Sequence, residues 1–434
     1  MTSTFSPEFE KATYGKVTWR LVPFLFLCYI LSYLDRVNVG FAKLQMQQDL
    51  GFSDTVYGLG AGIFFIGYFF FEVPSNVLMQ KVGAKIWIAR IMIMWGLISS
   101  GMMFTDSETT FYVLRFLLGV AEAGFFPGII LYLTFWYTRT YRARIVALFM
   151  TAIALAGVFG GPVSGWIMQT MGGVHGLTNW QWLYLLEGLP TIFVGVAVLF
   201  LLDDGPQKAK WLDEREKALI SQRLEEEEQL KRAEGHTSHS FSDAFKVPAV
   251  WLFALVYFGI VMGVYGVSFW LPQIIKETIT KDSWEIGLIS MIPWGVGAIA
   301  MVINGYHSDK MNERRWHVAG AAIIGAAAFA ASGIPGISGW TGIFFLTIAT
   351  AGAMSAVSCF WSLPTGILSG TAAAAGIAWI NSVGNLAGYA SPFIVGKIRD
   401  ATHNMALALF VLAASLLMAG LLTLFMTRGS PAQK

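Results

Sequence analysis

Twelve runs of mostly apolar residues, each roughly 20–30 long, divide this chain of 434 residues. They cover approximately 17–42, 54–80, 85–105, 109–137, 142–171, 180–202, 247–277, 283–309, 316–334, 340–364, 371–397 and 404–427. A helix rises about 1.5 Å per residue, so each run can cross the ~30 Å hydrocarbon core of a bilayer. The chain is 55% hydrophobic and only 13% charged, more apolar surface than a soluble globule can hide. The expected fold is an all-α integral membrane protein, with twelve transmembrane helices in two pseudo-symmetric six-helix bundles. A polar segment 1–16 precedes the first bundle (17–202), a charged linker (203–246) joins it to the second (247–427), and a short tail (428–434) follows.

The linker holds no apolar run. Within it Asp213 and Glu216 have the spacing of a capping box opening a surface helix, and Trp211, Leu212, Leu219 and Leu224 are expected on a membrane face. The acidic block Glu225–Glu228 reads as a solvated face. Short loops rich in Lys and Arg mark the cytoplasmic side. Lys81, Lys85 and Arg90, then Arg139, Arg142 and Arg144, then Lys310, Arg314 and Arg315 fall on one side, with the linker and both termini. Lys397 and Arg399 fall on the other side and run against the majority.

Some function classes have no support. No basic stripe interleaved with aromatics suggests nucleic acid. The six histidines (175, 236, 239, 307, 317 and 403) lie in loops or at span ends, so neither a metal site nor a cofactor is expected. Cys28 and Cys359 lie in apolar runs and read as small buried hydrophobes. A membrane enzyme would need a nucleophile or metal cluster, and a transport-derived sensor a long tail; neither is evident. A monomer is expected.

The charges inside the runs carry the function. Asp35 and Arg36 lie in span one, within Tyr33-Leu34-Asp35-Arg36-Val37-Asn38, and Arg115 and Glu122 lie in span four. Each such residue at mid-bilayer costs about 2.5–3.5 kcal/mol even on lenient scales, so they are expected to face one shared polar cavity. Arg115 and Glu122 are seven apart and share a helix face. Two guanidiniums at similar depth suit a carboxylate, each offering a planar fork of donors. The alternative is that both arginines only neutralise Asp35 and Glu122. These acids are the candidate proton carriers, because burial and a nearby arginine push a carboxyl in opposite directions. Glu72 is a third intramembrane acid, and Glu187, early in span six, reads as interfacial. In the second half Asn381, Asn385 and Gly388 share a face of span eleven, while Ser355, Ser358, Trp361 and Ser362 mark span ten.

Gly305-Tyr306-His307-Ser308-Asp309-Lys310-Met311-Asn312-Glu313-Arg314-Arg315 resembles the loop signature of the major facilitator superfamily, Gly-x-x-x-Asp-Arg/Lys-x-Gly-x-Arg-Arg, with Asn312 for the later glycine. Its first-half copy ends span two, keeping Lys81, Gly83 and Lys85 but placing Gln80 where the family has Asp. Tyr33–Asn38, Arg115–Gly128, Trp361–Thr365 and Ala378–Leu386 together resemble the anion:cation symporter family, nearest its tartrate, phthalate and hydroxyphenylacetate permeases. That resemblance implies alternating access, proton carriage by Asp35 and Glu122, and substrate contact by Arg36, Arg115, Tyr33, Tyr68, Trp361, Asn381 and Asn385. It also implies gating loops at Gly83, Asp309, Lys310 and Arg314. The expected activity is proton-coupled uptake of a small organic anion across a bacterial inner membrane. Tartrate is the first choice, an aromatic carboxylate the second, and drug export by the same fold a distant third.

Overall fold

The structure, a computed structural model, describes residues 5–233, 247–337, 339–367 and 370–426, and these form helices without strands. The end of the expected linker (234–246) and the tail (428–434) lie outside the described residues. Span one is α1 (Pro7–Val37) with α2 (Val39–Leu50), span two α3 (Asp54–Val82) and span three α4 (Ala84–Gly101). Span four is α5 (Glu108–Glu122) with α6 (Phe125–Thr134), span five α7 (Arg139–Thr170) and span six α8 (Asn179–Leu201). The linker helix is α9 (Glu214–Ala233). Then come α10 (Pro248–Thr278), α11 (Ser283–Met311) and α12 (Arg315–Ser332) as spans seven to nine. Span ten is α13 (Gly339–Phe360) with α14 (Ser362–Ile367), span eleven α15 (Gly370–Asn385) with α16 (Ala387–Thr402), and span twelve α17 (Ala406–Met426).

Ten spans are apolar enough by length and hydropathy alone. The other two are the alanine-rich α12 and the interrupted span eleven. The first helix begins ten residues before the first apolar run. Ser6 caps it, accepting from the Phe9 N–H, Pro7 starts it, and nothing between Lys16 and Val17 breaks a helix. Polarity there marks the edge of the membrane, not the edge of the helix.

Four spans are interrupted, at Asn38, Ala123-Gly124, Trp361 and Leu386. Each break lies within two residues of a sequence-predicted site residue: Arg36, Glu122, Trp361 itself and Asn385. At Gly124 the backbone is left-handed (φ 84°), and a Cβ there would sit 2.4 Å from the Ser75 hydroxyl, so glycine is required. Breaks of this kind free backbone groups where a cavity can use them.

Two ends of the molecule can be distinguished. The linker end carries α9 and the loops at Gly83 and Asn312. The far end carries the turn at Gly51. Toward the far end the halves close on each other: α16 packs along α3, and α2 against α10. The approach is down to backbone, since a Cβ on Gly58 of α3 would lie 2.2 Å from the Pro392 carbonyl oxygen of α16. Toward the linker end α15, the other half of span eleven, meets α3 at few points.

The linker helix does not lie on lipid as its sequence suggests. The capping box forms, with Glu216 N–H on Asp213 at 2.7 Å and Asp213 N–H on Glu216 at 2.9 Å. But Leu212 and Leu219 are buried in protein, and Trp211 stacks on Trp136 with centroids 5.6 Å apart. Lys16–Glu216 (2.7 Å) and Arg223–Glu10 (2.6 Å) tie the helix to the start of α1. Its apolar stripe found the underside of the first half, a better match than a membrane surface.

Candidate functional site

Asp35 and Arg36 are neighbours in sequence, and successive helical residues point about 100° apart. The structure therefore sends them opposite ways. Arg36 faces the second half. Its guanidinium pairs with Glu122, donates to the Tyr265 hydroxyl of α10 at 3.2 Å, and lies over the rings of Phe64, Tyr68 and Phe65 at 5.3, 5.4 and 5.9 Å. Glu122 also accepts from Ser32 at 2.7 Å. The pair is not saturated: Nε of Arg36 and Oε2 of Glu122 are buried and without a partner. A buried donor and acceptor left this way are expensive, and a ligand or a proton would satisfy them.

Asp35 faces the interior of the first half. It accepts from Trp95 (2.6 Å) and Ser99 (2.8 Å) of α4 and from Thr191 (2.8 Å) of α8. Among the described residues no cation pairs with it. Arg115 is also interior and fully buried. It donates to the carbonyls of Gly60 and Ala61 at 3.1 Å and lies 5.2 Å from the centroid of Phe64, the ring that Arg36 also approaches. Its Nη1 is buried and unpartnered. The four residues expected around one cavity are thus split. Arg36 and Glu122 stand at the interface of the halves, while Asp35 and Arg115 stand behind them. The reading in which both arginines merely neutralise the acids is not what is built, since only Glu122 has an arginine.

Among the other predicted lining residues, Tyr68 is the one placed against Arg36. Glu72, one turn on from Tyr68, receives the Asn381 amide across the halves at 3.4 Å. Tyr33 shares a hydrogen bond of 3.1 Å with Ser268 of α10. Trp361 packs edge-on against Tyr257 at 4.8 Å. Asn385 is half-buried and closes α15 at its break. Glu187, read as interfacial, is instead buried deep in the first half, with the Ser164 hydroxyl on it at 2.6 Å. Span six begins at Asn179, so Glu187 is eight residues, about 12 Å, into the helix.

At the linker end Gly83 (φ 100°) and Asn312 (φ 49°) end their helices with positive φ, which explains why asparagine can replace the signature glycine. Asp309 pairs with Arg314, which also donates to Ser308 at 2.8 Å, and Lys310 is exposed. In the first-half copy, where Gln80 offers no acid, Asp204 from the linker accepts the Lys85 N–H at 3.2 Å and caps α4.

At the far end lies a constellation that the sequence did not reveal. Lys43, buried against Trp270 at 3.7 Å from its centroid, pairs with Asp54 at 2.7 Å. Asp54 receives Arg399 of the other half at 2.9 Å, and Arg399 continues to Glu277 at 2.6 Å. Asp400 accepts the N–H groups of Asp54 and Thr55 at 3.0 and 2.7 Å, capping α3 from across the interface. Charges that read as strays on the wrong side of the membrane are a lock between the halves.

Residues 25–392 match the family description Major Facilitator Superfamily. The chain belongs to that superfamily. A candidate tartrate transporter of Agrobacterium vitis is 48% identical over 98% of this chain and 93% of its own length. A quinolone resistance transporter of Acinetobacter baumannii is 39% identical over 96% of this chain and 95% of its own. Among solved structures, a bacterial homologue of the human lysosomal transporter Spinster, in an inward-facing and occupied conformation, superposes with a TM-score of 0.75 at 15% identity. That likeness covers 95% of this chain and 97% of the other. The protein is a multi-pass membrane transporter of the major facilitator fold, and not an enzyme.

Proposed function

We propose that the protein imports a small hydroxylated carboxylate, tartrate in the first instance, together with protons, across a bacterial inner membrane. On the basic-loop count the linker end is cytoplasmic and the far end is outside. The observation that carries the reading is the unsaturated Arg36–Glu122 pair at the interface of the halves, facing Glu72 and Asn381. A carboxylate arriving there competes with Glu122 for the guanidinium, which binds planar oxyanions in a bidentate manner. Once displaced, Glu122 is a buried carboxylate without its cation, a state too costly to persist, so it takes up a proton. Anion and proton binding then support each other, and cotransport follows. Asn381 and Trp361 supply a hydrogen bond and an aromatic edge from the other half, and Tyr33, Tyr68 and Asn385 complete the lining. Arg115 acts from behind by holding the carbonyls of α3. The halves rock about this point, with the lock at the far end and the Gly83 and Asp309–Arg314 loops at the linker end as the alternating closures. The carrier works as a monomer.

The energetics set the coupling. Moving one charge through 100 mV is worth about 2.3 kcal/mol, so a dianion needs two protons to cross without opposing an inside-negative potential. Glu122 and Asp35 are two titratable places. The relative named for tartrate, at 48% identity, favours that class of solute. The relative named for quinolone resistance supports a second reading, drug export. Proteoliposomes loaded at neutral pH and placed in acidic buffer decide between them. Labelled tartrate is expected to accumulate and to collapse with a protonophore. Failure to accumulate, with gradient-driven movement of a fluoroquinolone instead, would overturn the first reading.

A further inference from the structure

Glu187 has no part in that cycle. It is a carboxylate inside the first half, with Oε1 held by Ser164 of α7 and Oε2 buried without a partner. Beside it, at the break between α1 and α2, lies Asn38, whose two amide atoms are also buried and lack partners of hydrogen-bonding geometry. One helical turn further along α8, Thr191 donates to Asp35 Oδ2 at 2.8 Å. Asn38 and Ser164 line a crevice of about 30 Å³ between the halves, with Tyr33, Ser268 and Ser290. A space of that size holds one or two waters when polar groups line it. Polar groups thus follow one another through an apolar bundle, from the crevice to Glu187, then one helical turn along α8 to Thr191, and from Thr191 by hydrogen bond to Asp35. The titratable groups facing Glu187 are Asp35 and, on α8 itself, the Tyr184 hydroxyl, while α7 presents Ser164 and α4 presents Ser99 and Ser100. A scaffold would be served better by glutamine, which would leave no lone carboxylate oxygen in the interior.

We propose that Glu187 is a proton relay between the crevice and Asp35. A proton delivered by water binds Oε2 of Glu187. Thr191 then passes its own hydroxyl proton to Asp35 Oδ2 as it receives the one from Glu187. One proton moves from a carboxyl to a carboxylate, and nothing else is consumed. This inference rests on proton coupling as read above, with Asp35 as the acid served.

The test is infrared difference spectroscopy of the purified protein across pH, in wild type, Glu187→Gln and Glu187→Asp, none of which needs a substrate. The expected result is that Glu187→Gln removes one protonated-carboxyl component and moves the titration of what remains, and that Glu187→Asp restores both. Superposable spectra of wild type and Glu187→Gln would overturn the relay. In proteoliposomes Glu187→Gln is expected to slow proton-driven tartrate accumulation about tenfold or more, the scale of a lost proton-transfer group. Tartrate exchange at equal pH should stay within about twofold, because no binding group has changed. Equal losses in both assays would mean a structural role and end the proposal. Wild-type liposomes that accumulate no tartrate would sink the transport reading alone, while the infrared titration would still decide the role of Glu187.

Discussion

The two halves share a fold and differ in where they keep charge. The first half buries Asp35, Glu72, Arg115, Glu122 and Glu187 in its interior or on its inner face. The second uses neutral groups within its helices, such as Ser268, Ser355 and Asn381, and among the described residues keeps charges such as Glu277, Arg399, Asp309 and Arg314 toward the helix ends. On the proposed cycle a proton entering the membrane would change the energy of one half only, and the second half would act as a neutral jaw whose charges respond to closure of the ends. That division would let proton loading and gate closure be separated by mutation.

Removing the charge at the interface should break the division most severely. Arg36→Ala leaves Glu122 buried without its cation and should weaken tartrate binding at least about 100-fold, measured by calorimetry on purified protein. Glu122→Gln comes next. It should abolish accumulation driven by a pH gradient while exchange at equal pH persists, and unchanged accumulation would remove Glu122 from the coupling. Arg399→Ala sharpens the contrast at the other extreme. It removes the Asp54 and Glu277 ion pairs, which are partly exposed, so far-end opening should rise by only about tenfold, read as labelling of a cysteine placed at Ser290, buried in the crevice between the halves. Asn381→Ala should have a similarly modest effect. Losing one intramembrane hydrogen bond of about 0.6–1.7 kcal/mol should weaken tartrate binding between about threefold and twentyfold, with the pH dependence intact.

Much of the candidate site is legible in the sequence because lipid punishes charge. Arg36 and Glu122 stood out as ionised residues in apolar runs, and they meet at the interface. Their partners were harder to read. Whether Asp35 or Arg36 faces the other half depends on helix rotation, which an apolar run does not reveal when all sides are hydrophobic. Arg115 has the chemistry of an anion binder, yet its donors go to carbonyls that a sequence does not display. The lock was invisible for a different reason. Lys43, Asp54, Glu277 and Arg399 lie toward the ends of their spans, where charges are ordinary, and the Asp54–Arg399 pair spans 345 positions. Glu187 was within reach, since counting eight residues from Asn179 already places it below the surface. The linker helix was misplaced because an amphipathic stripe says that something apolar covers it, not whether that cover is lipid or protein.

The spacing between the halves at the far end is fixed by a missing carbon atom. At Gly58 bare backbone meets bare backbone, and one methyl group would overlap the Pro392 carbonyl. Alanine there would serve as a doorstop, holding the mouth ajar without touching any charged group. On the cycle proposed above, such a carrier would still load its cargo at that mouth and would never release it at the other.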